Sequence, residues 1–268
     1  MKFLSLLIFC TSLSCATRFG GGQCKAPSEY AKMPVATIMK EAKEIVSRPG
    51  EKRAIAFCVY GSKKIYTHGV LENIEIAKDL YPGWDVVIFF DSETVPKEII
   101  DEARTRGARV EVGPFNSAAA RFFVIDMDYD RIISRDADSR IYPREVAAVA
   151  DWMKNDWAIL HNMRDAKNQT NPMLAGMFGA RVKQLREKLK EAGLNSNVKS
   201  LYKEFIGDKK AVYGDDEKFL REKLLTAVGL DHFLTHESFQ CDAFPHSRGF
   251  PIPRGNAGIH IGGVRNWD

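Results

Sequence analysis

The chain has 268 residues, 45% of them hydrophobic and 28% charged, with a formal net charge of +4. That balance is globular and supports one large core, which excludes a disordered or fibrous chain. The mild charge includes no block of Lys and Arg that would point to nucleic acid, and no apolar stretch is long enough to cross a bilayer.

The first element differs from the rest. In MKFLSLLIFCTSLSCA, Lys2 precedes an apolar run from Phe3 to Leu13, and Ser14 and Ala16 are small. Residues 1–16 read as a secretory signal peptide, which places the mature start near Thr17 in the secretory pathway or outside the cell. An uncleaved signal anchor needs a longer run, and a lipoprotein attached at Cys15 usually has an aliphatic residue where Ser12 stands. Three cysteines remain after removal. Cys58 lies in an apolar strand and reads as a small buried hydrophobe. Cys24 and Cys241 are free to pair in an oxidising compartment.

Residues 17–50 comprise the flexible leader RFGGGQC (Arg18 to Cys24) and a helix from about Ser28 to Ser47, closed by RPG. Residues 51–268 then read as one domain. RAIAFCVY (Arg53 to Tyr60) is a buried strand, and VLENIEIAKDLY (Val70 to Tyr81) is a helix ended by Pro82-Gly83. WDVVIFF (Trp84 to Phe90) is a second strand. PKEIIDEARTRG (Pro96 to Gly107) is a helix with proline first and glycine last. ARVEV (Ala108 to Val112) is a third strand, and a helix over Ser117 to Asp126 precedes RIIS, the fourth. WAIL is a fifth. Strands alternating with helices predict an α/β fold with a mostly parallel sheet covered on both faces.

In open α/β sheets, ligands bind beyond the carboxyl ends of the strands. Tyr60-Gly61 follows the first strand there and Asp91 the second. Asp136-Ala137-Asp138 follows the fourth, flanked by Arg135 and Arg140. On extended backbone, side chains at i and i+2 point the same way, roughly 6–7 Å apart. Two carboxylates at that spacing repel unless a cation sits by them. Mg²⁺ or Mn²⁺ held by a couple of carboxylates keeps positions for phosphate oxygens, so the motif points to a metal site that handles a nucleoside diphosphate. An Asp-x-Asp triplet alone is also a common solvated turn.

The stretch RFFVIDMDYDRIISRDADSRI resembles the GT-A class of nucleotide-sugar glycosyltransferases. From about Ala54 to Gly263 the chain is similar to a branch of that class that includes the N-terminal glycosyltransferase domain of large algal viruses. The matching segments include RDADSRIYPREVAAVADWMKND, LHNMRDAKNQTNPMLAGMFGAR, YGDDEKFL and LTHESFQCDAFPHSRGFPIPR.

The resemblance implies a GT-A, Rossmann-like single domain with a nucleotide-sugar donor and an acceptor of unknown type. It implies that Asp136 and Asp138 hold the Mn²⁺ or Mg²⁺, with Asp138 as the direct ligand and Asp136 either a ligand or acting through water or the ribose. Arg121 is the basic residue reaching the donor. Tyr60 and Gly61 lie against the base, Asp91 bonds the base or ribose or else caps a helix, and Gly176 permits close approach of the sugar. Asp216 and Asp165 are rivals for deprotonating the acceptor. His161 and Arg164 face the donor or acceptor. IHIGG is similar to the tail of glycogenin-like enzymes, which makes His260 a third metal ligand and Arg265 the phosphate-binding cation.

Asn168-Gln169-Thr170 fits an N-glycan acceptor, and its place in the expected active-site loop argues against occupancy. Two other readings exist. One is a secreted, non-catalytic carbohydrate- or metal-binding protein on the same scaffold. The other is an Asp-based phosphatase suggested by DADS, although that motif normally follows the first strand of its sheet rather than the fourth.

Overall fold

The computed structural model describes residues 23–254 and 260–265. The signal peptide expected at 1–16 lies outside the described residues, as do 255–259 and 266–268 of the tail.

One eight-stranded sheet runs in the order β3-β2-β1-β4-β6-β5-β7-β8. Four strands match the predicted ones. β1 (Arg53–Val59), β2 (Asp85–Asp91), β3 (Arg109–Gly113) and β4 (Arg131–Arg135) are parallel. β6 (Met177–Arg181) enters antiparallel between β4 and β5 (Leu160–Arg164). β7 (Phe233–Glu237) and β8 (Ser247–Gly249) continue the sheet, each parallel to its predecessor in the order. The continuous apolar runs of β1 and β4 are buried at every residue, as a sheet covered on both faces demands.

Helices cover the sheet. α1 (Val35–Val46) and α4 (Pro143–Met153) pack together on one face with α2 (Lys64–Leu80) and α3 (Lys97–Thr105). The N-terminal helix therefore shares the main core. Val46 also offers its carbonyl to Arg53 Nη1 at 2.8 Å and to Trp84 Nε1 at 2.7 Å. On the other face lie α5 (Val182–Glu191), α6 (Val198–Ile206) and a continuous helical run opened by α7 (Asp215–Phe219). The helix expected over 117–126 is a 3-10 helix, Ala118–Asp126, capped by the Ser117 hydroxyl. Among the described residues no helix is long and apolar enough to cross a membrane.

Cys24 and Cys241 form a disulfide 217 residues apart, and Cys58 is free and buried.

Candidate active site

A cavity of about 700 Å³ opens beyond the carboxyl ends of β1 and β4. The turn that follows β4 shapes its floor. β4 ends at Arg135, and Asp136 to Ser139 turn back, with the Ser139 hydroxyl donating to the Asp136 carbonyl at 3.0 Å. The extended i, i+2 geometry expected from sequence does not apply here. The turn nevertheless brings both Asp136 and Asp138 to the cavity.

Neighbours fix the turn on every side. Asn73 of α2 donates from Nδ2 to the Ser139 carbonyl at 2.8 Å and accepts the Ile141 N–H at 3.1 Å. Gly69, also on α2, lies so close that a Cβ there would sit 2.2 Å from the Ala137 carbonyl oxygen. Gly176 lies against Asp136 itself, and a Cβ would be 1.9 Å from Oδ2. Glycine is therefore required at 176 to admit the Asp136 carboxylate, a closer constraint than approach of a sugar. The flanking arginines face away from the cavity. Arg135 is buried and paired with Glu145 at 2.7 Å, and Arg140 pairs with Glu72 at 2.5 Å.

Arg121, buried on the 3-10 helix, links two acids. Its Nη1 donates to Asp136 Oδ1, and its Nη2 to Asp216 Oδ2 at 2.9 Å. Burial opposes its charge, but the carboxylates of Asp136 and Asp216 outweigh that and hold its pKa above the usual value. Asp138 moves the other way for a carboxylate. Burial, then the like charge of Asp136, raises its pKa.

A divalent cation beside these two acids relieves that repulsion, so the donor set fits Mg²⁺ or Mn²⁺ with water and phosphate oxygens completing the shell. Among the described residues no group of three or more His, Cys, Asp and Glu side chains is arranged to hold a metal. His260 therefore does not join Asp136 and Asp138 as the expected third ligand. Arg265 is exposed and meets the site through its backbone N–H, which donates to the Asp138 carbonyl at 2.9 Å, and its side chain is not among the cavity's lining groups.

The remaining expected residues divide. Tyr60 and Gly61 line the cavity. Gly61 has φ +78°, and its N–H donates to Thr94 Oγ1 at 2.7 Å. Thr94 in turn donates to Asp91 Oδ2 at 2.5 Å. Asp91 is buried behind that pair and does not line the cavity, so it anchors the Gly61 loop instead of meeting a ligand. Asp216 lines the cavity, but Arg121 and the Glu217 N–H hold its two oxygens.

Asp165, His161 and Arg164 are not brought to the cavity, because His161 and Arg164 belong to the buried strand β5 and not to a loop. His161 Nε2 faces His236 Nδ1 at 2.8 Å, and His236 reaches Asp151 Oδ2 at 3.1 Å. Burial drives the pKa of both imidazoles down, that of His161 furthest. Arg164 grips Glu237 through Nε at 2.9 and 3.0 Å. Cys58 contributes to the cavity wall, and burial pushes its thiol up to about 12, which makes it inert.

Glu217 was not foreseen. It lines the cavity beside Asp216, and its Oε2 accepts from Asn171 Nδ2 at 2.5 Å. Burial raises its pKa, the Asn171 bond lowers it, and the charges of Asp216 and Asp136 raise it again, for a net increase. Its place in the first turn of α7, three residues after Gly214, was the available signal. Lys63, Tyr66 and the fully exposed Tyr213 also line the opening.

No family model and no curated protein matches the sequence. Solved structures do match. Glucosyl-3-phosphoglycerate synthase from Mycobacterium tuberculosis, solved with phosphoglyceric acid, aligns at 14% identity and TM-score 0.50 over 84% of this chain and 77% of that one. Mannosyl-3-phosphoglycerate synthase from Rubrobacter xylanophilus aligns at 13% identity and TM-score 0.49 over 77% and 69%. A mannosyltransferase from Pyrobaculum calidifontis, solved with GDP-mannose and Mn²⁺, aligns at 12% identity and TM-score 0.40 over 66% and 61%. The chain is a single-domain α/β protein that shares the fold of GT-A glycosyltransferases.

Proposed function

We propose that this chain is a metal-dependent glycosyltransferase that moves a sugar from a nucleoside-diphosphate sugar to an acceptor hydroxyl, and that it lies near the branch found in large algal viruses. The observation that carries this reading is the turn after β4. It presents Asp136 and Asp138 to a 700 Å³ cavity that also holds Asp216 and Glu217. The fold shared with glucosyl-3-phosphoglycerate synthase supports the reaction class.

Asp138, with Asp136 beside it, would hold Mn²⁺ or Mg²⁺, and the bound ion supplies positive charge against the departing diphosphate. Arg121 pairs with Asp136 and fixes its carboxylate. Tyr60 offers a ring to the nucleotide base on a loop set by Gly61, Thr94 and Asp91. Where the reaction inverts configuration, Glu217 is the better candidate for taking the acceptor proton. Its pKa is raised, whereas Asp216 is committed to Arg121. A non-catalytic binding protein needs no such base, and Glu217 therefore favours the enzyme.

We also place the mature chain in the secretory pathway, a reading supported by the N-terminal sequence and by the disulfide between Cys24 and Cys241.

A thermal-shift panel of nucleotide sugars with and without Mn²⁺ tests the donor. A ligand at about 100 times its Kd adds about 2.7 kcal/mol, which raises Tm by several degrees. Release of free nucleoside diphosphate with the responding donor, lost in Glu217→Gln and retained in part by Asp216→Asn, would assign the base. Binding without any turnover would favour the non-catalytic protein.

A further inference from the structure

The tail segment 260–265 forms part of the cavity wall. Gly262 and Val264 line the cavity, and the Arg265 N–H grips the Asp138 carbonyl at 2.9 Å. Ile261 is buried with Met163, Met177 and Phe250. Gly262 has φ +77°, and a Cβ there would meet Met177 Cε at 3.0 Å, so the segment lies close to the sheet.

Asp165, at the end of β5, holds this segment by its near end. Its Oδ2 accepts the Ile261 N–H at 2.8 Å. Its Oδ1 faces Arg144 Nη1 at 2.5 Å and accepts from the Ser238 hydroxyl. Its own carbonyl accepts from Arg254 Nη1 at 2.8 Å. Arg144 is fixed in turn, donating from Nε to the Ile252 carbonyl at 2.7 Å and from Nη2 to Ser238 Oγ at 3.0 Å, with its guanidinium 3.8 Å from the Phe250 ring centroid. A 1% exposed carboxylate thus ties α4, the residue after β7 and the tail to one point. From there the tail runs five residues to Asp138.

We infer that Asp165 is a positioning residue. It acts through the tail, setting segment 260–265 so that its backbone braces the Asp138 turn and closes one wall of the cavity. Its oxygens are occupied and it does not line the cavity, so it takes no proton from an acceptor. The consequence for donor affinity rests on the glycosyltransferase reading, whereas the bracing does not.

Hydrogen exchange and ligand binding test this separately on the full mature chain. Asp165→Asn keeps an oxygen for the Ile261 N–H but loses the charge that faces Arg144, and Asp165→Ala loses both. Amide exchange in 260–265 and in 136–141 should quicken at least tenfold in the Asn variant and further in the Ala variant. Binding of UDP or GDP with Mn²⁺ should weaken at least tenfold in the Asn variant, whose folding makes the test independent of whether the Ala variant folds. Unchanged exchange in 136–141 would overturn the proposal, even with a lowered Tm, because Asp165 would then be a structural ion pair alone. Faster exchange with unchanged UDP–Mn²⁺ affinity would also overturn it. If the wild type binds neither nucleotide, the donor reading fails by itself and the exchange result alone decides the bracing.

Discussion

Gly176→Ala is the sharpest single perturbation of the proposed metal site. An added Cβ would lie 1.9 Å from Asp136 Oδ2, 2.3 Å from its Cγ and 2.8 Å from Oδ1. Ordinary contact begins near 3.4 Å, so the carboxylate must retreat by about 1.5 Å. Asp136 is short, it sits on a turn fixed by Asn73 and Ser139, and it is paired with buried Arg121, so little of that retreat is free. The backbone at 176 is outside the left-handed region, and the whole effect is therefore steric. Overpacking of this kind costs about 1–3 kcal/mol, which lowers Tm by roughly 2–12 °C in a chain of this size. Displacing Asp136 removes one of the two carboxylates proposed to hold the metal, and calorimetric Kd for UDP in Mn²⁺ should weaken more than tenfold, about 1.4 kcal/mol. Gly179→Ala supplies the control. Its Cβ would press on Trp152 Cζ3 at 3.1 Å without touching Asp136. It should lower Tm and leave Kd alone. Wild-type nucleotide affinity in Gly176→Ala, or an equal loss in Gly179→Ala, refutes the steric account.

Asp138→Asn should abolish metal-dependent binding of UDP or GDP while leaving Tm within a degree or two of wild type, because it removes a charge that its surroundings disfavour; wild-type binding across Mn²⁺ concentrations would dismiss the metal site. Acid should destabilise the chain through His161 and His236. Both imidazoles are held below the ordinary value of about 6.5, so the unfolded state binds more protons below that pH, and stability present above it is lost as pH falls. Two such groups give a slope of up to about 2.7 kcal/mol per pH unit, and Tm measured from pH 7.5 to 5 should fall less steeply in His161→Gln. The disulfide closes 217 residues of sequence separation, worth up to about 5 kcal/mol by loop entropy, so Cys24→Ser should melt well below wild type and reductant should bring the wild type down to it.

The first half of the fold was legible because its strands are continuous apolar runs bounded by glycine and proline. RAIAFCVY and WDVVIFF need no context to read as buried strands, and Ser117 announced the start of the following helix. The second half was not. β5 carries His161, Asn162 and Arg164, and all are buried. A strand whose polar groups pair with His236, Leu174 and Glu237 looks like a loop in sequence, since its partners lie far along the chain. That is why Asp165, His161 and Arg164 were expected at the cavity. β6 was hidden for a different reason. Gly176 just before it and Gly179 and Ala180 within it give it little apolar weight, because the Asp136 carboxylate and the Trp152 ring fill the space beside the two glycines.

The carboxylates show what sequence position alone leaves open. Asp136, Asp138, Asp165, Asp216 and Asp91 all follow strands or open a helix, and all were candidates for contact with metal, donor or acceptor. Their surroundings assign them different tasks. Asp91 and Asp165 are buried, with oxygens spent on Thr94 or on Arg144, Ser238 and Ile261. Asp216 is half spent on Arg121. Asp138 keeps a carboxylate whose charge is disfavoured by burial and by Asp136, and Glu217 keeps one disfavoured by burial and by Asp216. Charge held against its own environment in a cavity is costly to folding unless a ligand or a proton relieves it. On the proposed transferase reading a cation would relieve Asp138 and a proton Glu217, and such a reaction requires both.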